Sequence, residues 1–222
     1  MGPFRGALPQ GGNQCHPDWQ IIMRVTCWII EDNEMTTLHT IAREIQTCTL
    51  CPLAKSRTRA VPGDGPSTAR LMLVGEAPGR EEDAQGKPFV GQAGTVLDLA
   101  LLSARIQRNE VFITNVVKCR PPHNRPPTKD EIDTCINAQL QRQVQAINPD
   151  LICLLEATAA KALLAIERLV TVRGRLIKKD HRYFVTYHPA AAGRNSAWHK
   201  TFQMDIRQLE RLLAGKTRPR HT

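Results

Sequence analysis

The sequence predicts an α/β fold, a parallel sheet with helices on both of its faces. Short apolar runs alternate with segments of helical period along the chain, the pattern that strand–helix–strand units leave when they build a parallel sheet. Three polar motifs also stand immediately after three of those runs. Ligands of such folds bind beyond the carboxyl ends of the strands, so the motifs would converge on one edge.

Taken in order, Leu38, Ile41, Ala42 and Ile45 form a helix-like pattern that leads into Cys48. Leu71-Met72-Leu73-Val74 is a short apolar run ended by Gly75, as a buried parallel strand would be. Val96, Leu97, Leu99, Ala100 and Leu101 predict a helix over 94–103. Val111-Phe112-Ile113 is the next strand. Thr128, followed by Asp130 and Glu131, reads as an N-cap with an acidic first turn for a helix through Ile147. Asp150 to Leu155 is a third strand, and Ala157 to Leu169 a third helix. Arg175 to Ile177 and Arg182 to Thr186 predict two further strands. Trp198 to Leu213 predicts a last helix, with Phe202, Ile206, Leu209 and Leu213 on one face.

At 222 residues the chain suits one substantial domain. Thirty Lys and Arg against 21 Asp and Glu give a net charge of +9, which fits a polyanionic partner such as nucleic acid without naming it. No stretch reaches the roughly 18 consecutive apolar residues of a membrane span, so no membrane partner is expected. Residues 1–34 begin Gly- and Pro-rich and do not resemble the rest. They read either as an unstructured extension or as a mis-assigned start, with the domain over 35–215 and a basic tail over 216–222.

Seven cysteines, with no recognisable secretory leader, favour a reduced compartment over a disulfide framework. Cys48-x2-Cys51, with 67 residues between Cys51 and Cys119 and 15 between Cys119 and Cys135, could supply four thiolates to one point. Spacing alone fits both a tetrahedral zinc and a cubane iron–sulfur cluster. Cys153, in Leu151-Ile152-Cys153-Leu154-Leu155, reads as a small buried hydrophobe. Cys15 and Cys27 carry no assigned role.

The cysteines bracket Gly75-Glu76-Ala77-Pro78-Gly79, Thr114-Asn115 and His188-Pro189-Ala190. With Cys-Thr-Leu-Cys-Pro-Leu at 48–53, Gly-Lys-Pro-Phe-Val-Gly at 86–91, Ile-Thr-Asn-Val-Val-Lys-Cys-Arg-Pro-Pro at 113–122 and Tyr-His-Pro-Ala at 187–190, the ordered set resembles the family 4 uracil-DNA glycosylases. The resemblance runs from about Thr36 to about Leu213. It implies a three-layer α/β/α sandwich on a central, mainly parallel four-stranded sheet. It also implies a [4Fe–4S] cluster on Cys48, Cys51, Cys119 and Cys135, with zinc as the alternative, in a structural role outside the pocket.

The resemblance further implies that Gly75, Glu76, Ala77, Pro78 and Gly79 line a uracil pocket and that Phe89 stacks on the extruded base. A flat ring suits every base. Asn115 offers a donor and an acceptor to the O4 and N3–H edge of uracil, which cytosine reverses. His188 would stabilise the charge that develops on uracil O2, as a neutral donor. For the carboxylate that positions water, Glu76, Glu82 and Asp83 are candidates, with Glu76 first, because Ala77 stands where the best-known uracil glycosylases place an aspartate. Glu81 to Asp83 fit a solvated acidic turn equally well.

Lys118, Arg120 and Arg125 in the loop after Asn115, with Arg173, Arg175 and Arg194, are the expected phosphate contacts. Lys178, Lys179, His181 and Arg182 extend the second basic cluster. Related enzymes insert a bulky apolar residue after the His-Pro-Ala motif, where this chain has Ala191-Ala192-Gly193-Arg194, leaving either Arg194 to fill the gap or a weak wedge with lower efficiency on duplex DNA.

The reading is a monofunctional uracil-DNA glycosylase of base excision repair: a cytoplasmic, nucleoid-associated monomer acting on single- or double-stranded uracil-containing DNA, with a sliding clamp as candidate partner. Its rivals are a relative with altered deaminated-base specificity or with product trapping by a histidine such as His181, and a non-enzymatic iron–sulfur DNA-binding protein.

Overall fold

The computed structural model describes residues 37–166 and 168–215. The expectations for 1–34, for 216–222, and for Cys15 and Cys27 lie outside the described residues. Five strands, β1 (Leu71–Gly75), β2 (Val111–Asn115), β3 (Leu151–Leu155), β4 (Leu176–Lys178) and β5 (Arg182–Thr186), form one sheet in the order β2-β1-β3-β5-β4. β2, β1, β3 and β5 run parallel, and β4 pairs antiparallel with β5. The sheet therefore has one strand more than the four the resemblance implies, and the fifth, β4, is one of the two strands that the sequence predicts after the third helix. The extra strand is the first arm of a hairpin closed where Lys179 N–H donates to His181 O at 2.9 Å.

Both faces of the sheet are covered, which is why β1, β2 and β3 are buried along their whole length. Met72, Val74, Phe112, Ile152, Leu154, Tyr183 and Val185 face one helical layer. It comprises α1 (37–47), the run from α4 (Lys129–Cys135) through a π-turn (Ile136–Leu140) into α5 (Gln141–Ile147), and α6 (Ala157–Leu164). Leu71, Leu73, Ile113, Leu151, Cys153, Leu155 and Phe184 face the other layer. There α3 (Gln92–Ser103), α8 (Pro189–Arg194) and α9 (Ser196–Ala214) supply Leu97, Leu101, Ala192, Phe202, Ile206 and Leu209. The result is a three-layer sandwich with a core on each side of the sheet. Cys153 is fully buried in it, and burial pushes its thiol pKa up.

Local chemistry accounts for where the elements begin and end. Thr128 and Glu131 exchange capping bonds at the start of α4: Thr128 N–H donates to Glu131 Oε2 at 2.8 Å and Glu131 N–H to Thr128 Oγ1 at 3.4 Å. The helix expected through Leu169 stops at Leu164, because Ala165 turns left-handed at φ +58° and donates its N–H to Lys161 O. A separate turn, α7 (Leu169–Val172), follows. A short helix, α2 (Arg80–Gln85), stands where a solvated acidic turn is one reading, and a second, α8, follows β5. No helix among the described residues is long and apolar enough to cross a membrane.

Register fixes the site. Gly75 pairs with Asn115, Val74 with Leu154, and Leu155 with Thr186. The residues at or just beyond these ends, Glu76, Asn115, Glu156 and His188, are therefore brought to one edge.

Candidate active site

A cleft of about 420 Å³ lies at that edge, and Glu76, Ala77, Pro78, Gly79, Glu82, Phe89, Asn115, Arg125, His188 and Arg194 all line it. Gly75 lies beneath. A Cβ on Gly75 would stand 2.5 Å from Asn115 Oδ1 and 2.7 Å from Phe89 Cζ, so only glycine lets those two side chains meet over the end of β1. Asn115 is 2% exposed, and its Oδ1 is buried without a hydrogen-bond donor. An acceptor in that condition costs stability until a ligand supplies an N–H.

The turn that carries Phe89 is held by two side chains, Glu82 and Arg108. Glu82 Oε1 accepts the N–H groups of Val90 and Gly91, each at 2.9 Å, and Glu82 Oε2 accepts that of Gly79 at 3.1 Å. Arg108 donates to the carbonyls of Pro88 and Phe89. Phe89 itself is left-handed at φ +50°, a conformation retained only where surroundings over-determine it. Its ring lies 5.8 Å from that of His188, tilted by 33°. Glu82 thus lines the cleft, but its oxygens hold the two loops that frame it.

His188 caps α8: its Nδ1 accepts the N–H of Ala190 at 3.2 Å. Burial, with the Arg194 cation adding to it, lowers the ring's pKa to about 4, against a smaller opposing pull from Glu82. The neutral ring therefore offers an Nε2–H donor. Glu76 Oε2 accepts the Thr158 hydroxyl at the start of α6, which orients the carboxylate across the cleft mouth.

Glu156 also lines this cleft and was missed from the sequence. It follows β3 as Glu76 and His188 follow β1 and β5, and that position was the available signal. Its backbone adopts φ +106°, ψ 170°, a region otherwise reserved for glycine. Burial first, then the charge of Glu76, raises its carboxyl pKa, and Arg194 partly offsets the rise.

Several expected residues lie elsewhere. Asp83 is buried and accepts the N–H groups of Thr58 and Arg59 at 2.9 and 3.3 Å; it faces away from the cleft because α2 is a helix rather than a solvated turn. Lys118 is buried too, its Nζ donating to Thr114 Oγ1 and Asn115 O, each at 2.7 Å, so it cannot meet a phosphate. Arg173 is paired with Asp205 at 2.9 Å. Arg125 lines the cleft while paired with Glu131, and Arg120 donates to Asn124 Oδ1 at 2.8 Å. Arg175 and Arg194 are exposed near the cleft edge. Lys178, Lys179, His181 and Arg182 lie at the β4–β5 turn, the opposite end of the sheet. That position removes His181 as a trapping nucleophile.

Cys48, Cys51, Cys119 and Cys135 line one small cavity together with Arg57, Lys118 and Gln139. Arg57 Nη1 donates to Cys119 Sγ at 2.9 Å. The π-turn after Cys135 is the kind of helix irregularity often found at functional sites. Four thiols around one shared cavity, with Arg57 and Lys118 beside them, are placed to hold a metal centre together.

Residues 62–212 match the model of the uracil DNA glycosylase superfamily. The chain is 39% identical over 195 residues to the type-4 uracil-DNA glycosylase of Archaeoglobus fulgidus, covering 83% of this chain and 97% of that one. It is 43% identical over 172 residues to the enzyme of that name from Pyrobaculum aerophilum, covering 73% and 87%. With the one from Saccharolobus solfataricus the identity is 42% over 193 residues, covering 82% and 89%.

Proposed function

Because the chain belongs to the uracil DNA glycosylase superfamily, we propose that it excises uracil from DNA by hydrolysing the N-glycosidic bond, leaving an abasic site and an uncut strand. One observation carries the reading. The unpartnered acceptor of Asn115 and the neutral imidazole of His188 share a cleft with the Phe89 ring.

A deoxyuridine rotated out of the stack, at a cost of a few kcal/mol, would lie on Phe89. Its N3–H donates to Asn115 Oδ1, and the Asn115 amide donates to O4. Cytosine presents an acceptor at N3 and a donor at N4, so the same amide is mismatched to it. As the C1′–N1 bond breaks, the electron pair moves to the base, and negative charge gathers on N1 and O2. His188 Nε2–H donates to O2 and stabilises that charge most in the transition state. Water adds hydroxide to C1′ and gives its proton to Glu76, whose other oxygen is already engaged by Thr158. The uracil anion takes a proton from solvent after release.

Cys48, Cys51, Cys119 and Cys135 would hold a [4Fe–4S] cluster. Bound there, it supplies a structural cross-link, since excision transfers no electrons. With DNA as substrate, the working location is the nucleoid, in the cytoplasm.

The test is an oligonucleotide with one uracil, treated with alkali after incubation to cleave abasic sites. Uracil-dependent cleavage by the wild type and its loss in Asn115→Ala is the expected result. Cleavage by neither, from protein with its full metal content, would overturn the reading.

A further inference from the structure

Resting on the reading above, we propose that the exposed face of Trp198 is a stacking platform for an unpaired nucleobase of the DNA strand, beside the nucleotide held in the cleft. The indole stacks on Tyr187, with ring centroids 4.9 Å apart and planes 8° from parallel. The Arg173 guanidinium lies over the same Tyr187 ring, 5.4 Å from its centroid. Arg173 is fixed in turn by Asp205, through bonds of 3.0 and 2.9 Å, and Asp205 accepts the buried Thr186 hydroxyl at 2.7 Å. These planar groups are thus tied to the core through Asp205 and Thr186, and the indole is partly exposed.

Trp198 is 43% exposed. A scattered exposed hydrophobe needs no explanation by itself, and Leu99, Leu102 and Met204 are such residues. Trp198 differs in being held flat, with its orientation set in advance. Asn195 Oδ1 accepts the N–H groups of Ala197 and Trp198 at 3.0 and 3.1 Å, which fixes the first turn of α9 under the ring.

Its place argues for the occupant. Tyr187 immediately precedes His188, and Arg194, on the cleft wall, lies four residues before Trp198. Arg175 and Arg194 are exposed near this edge, and the chain carries +9, so a polyanion is the complementary partner. The nearer segment, Ala191-Ala192-Gly193, carries no side chain larger than a methyl. Ala192 is buried, and a Cβ on Gly193 would come within 3.1 Å of Val96 Cγ2 on α3. A rigid, partly exposed indole matches the π-face of a base, and such stacking tolerates any sequence.

Trp19→Phe with Trp28→Phe leaves Trp198 as the sole indole. Titrating that protein with undamaged single-stranded oligothymidine should quench its fluorescence saturably. Trp198→Ala should weaken binding to the same strand by about 5- to 150-fold, the span set by base–aromatic stacking. Trp198→Phe should keep most of the affinity. Trp198→Leu, which still covers Tyr187 with an apolar group, should lose it as alanine does. Unquenched fluorescence at saturating DNA, or single-strand affinity unchanged in Trp198→Ala, would overturn the proposal. If the wild type excises uracil while those results fail, the platform alone is wrong; if the wild type excises nothing, the underlying reading is wrong.

Discussion

His188 Nδ1 accepts the backbone N–H of Ala190 at 3.2 Å, so the neutral ring keeps its proton on Nε2. With the ring's pKa lowered to about 4, the donor is intact across the physiological range. The imidazole signals of His188 should hold the Nε2–H tautomer down to about pH 4 in an NMR titration. The unfolded ring protonates near 6.5, so between about pH 6.5 and 4 the unfolded chain binds a proton that the folded chain refuses. This contribution to stability is therefore lost as pH falls through that window, and urea unfolding at pH 7 and pH 4.5 should show a smaller loss in His188→Gln. His188→Ala should lower kcat by about 10²–10³-fold, as removal of an oxyanion donor does.

Gly75→Ala tests the meeting of Asn115 and Phe89. The added methyl would sit 2.5 Å from Asn115 Oδ1 and 2.7 Å from Phe89 Cζ, closer than atoms approach. One of the two must move, and a displacement near 1 Å at a reacting centre costs on the order of 10² in rate. Single-turnover excision should fall by about that factor while the circular dichroism spectrum is retained. An unchanged rate would show that the contact does not set the geometry.

Glu156 pairs backbone strain with a disfavoured charge. At φ +106° and ψ 170° a side chain costs about 1–3 kcal/mol, so Glu156→Gly should stabilise the protein by about that amount in urea, and Glu156→Ala should recover far less. The carboxyl pKa is raised by burial and by Glu76. The folded state therefore holds this proton more tightly than the unfolded chain, and stability falls as pH rises from the ordinary carboxylate value through the raised one. Glu156→Gln should abolish that decline, and a slope equal to the wild type's would place its origin elsewhere.

The same residues show what a sequence makes legible. Apolar runs such as Leu71–Val74 announce strands because both faces of the sheet are covered, and the motifs that follow them mark the edge where they end. Asp83 and Lys118 were misread for one reason. Each is charged and stands among polar or basic neighbours, yet each turns inward to satisfy backbone groups: the amides of Thr58 and Arg59 for Asp83, and the carbonyl of Asn115 for Lys118. Such bonds join residues far apart in the chain or depend on how a loop curls, so local composition cannot reveal them. Glu156 was passed over because it opens a helix and carries no motif. Its unusual backbone angles appear only in three dimensions.

Cys48 and Cys51 precede the first strand, Cys119 ends the Val116-Val117-Lys118 segment after Asn115, and Cys135 enters the π-turn, so a group bound to all four ties three separate segments together. Arg57 donates to Cys119 Sγ, and Lys118 Nζ donates to the Asn115 backbone carbonyl, which connects the cavity wall to Asn115 within a few bonds. Metal analysis of anaerobically purified protein should give four irons and four acid-labile sulfides per chain; one zinc and no sulfide would decide for the mononuclear alternative. Cys119→Ser should lose the iron, lower the melting temperature and reduce uracil excision, with the Asn115 amide resonances broadened or shifted. Full excision by an iron-free Cys119→Ser protein would show instead that Asn115 is positioned by β2 alone.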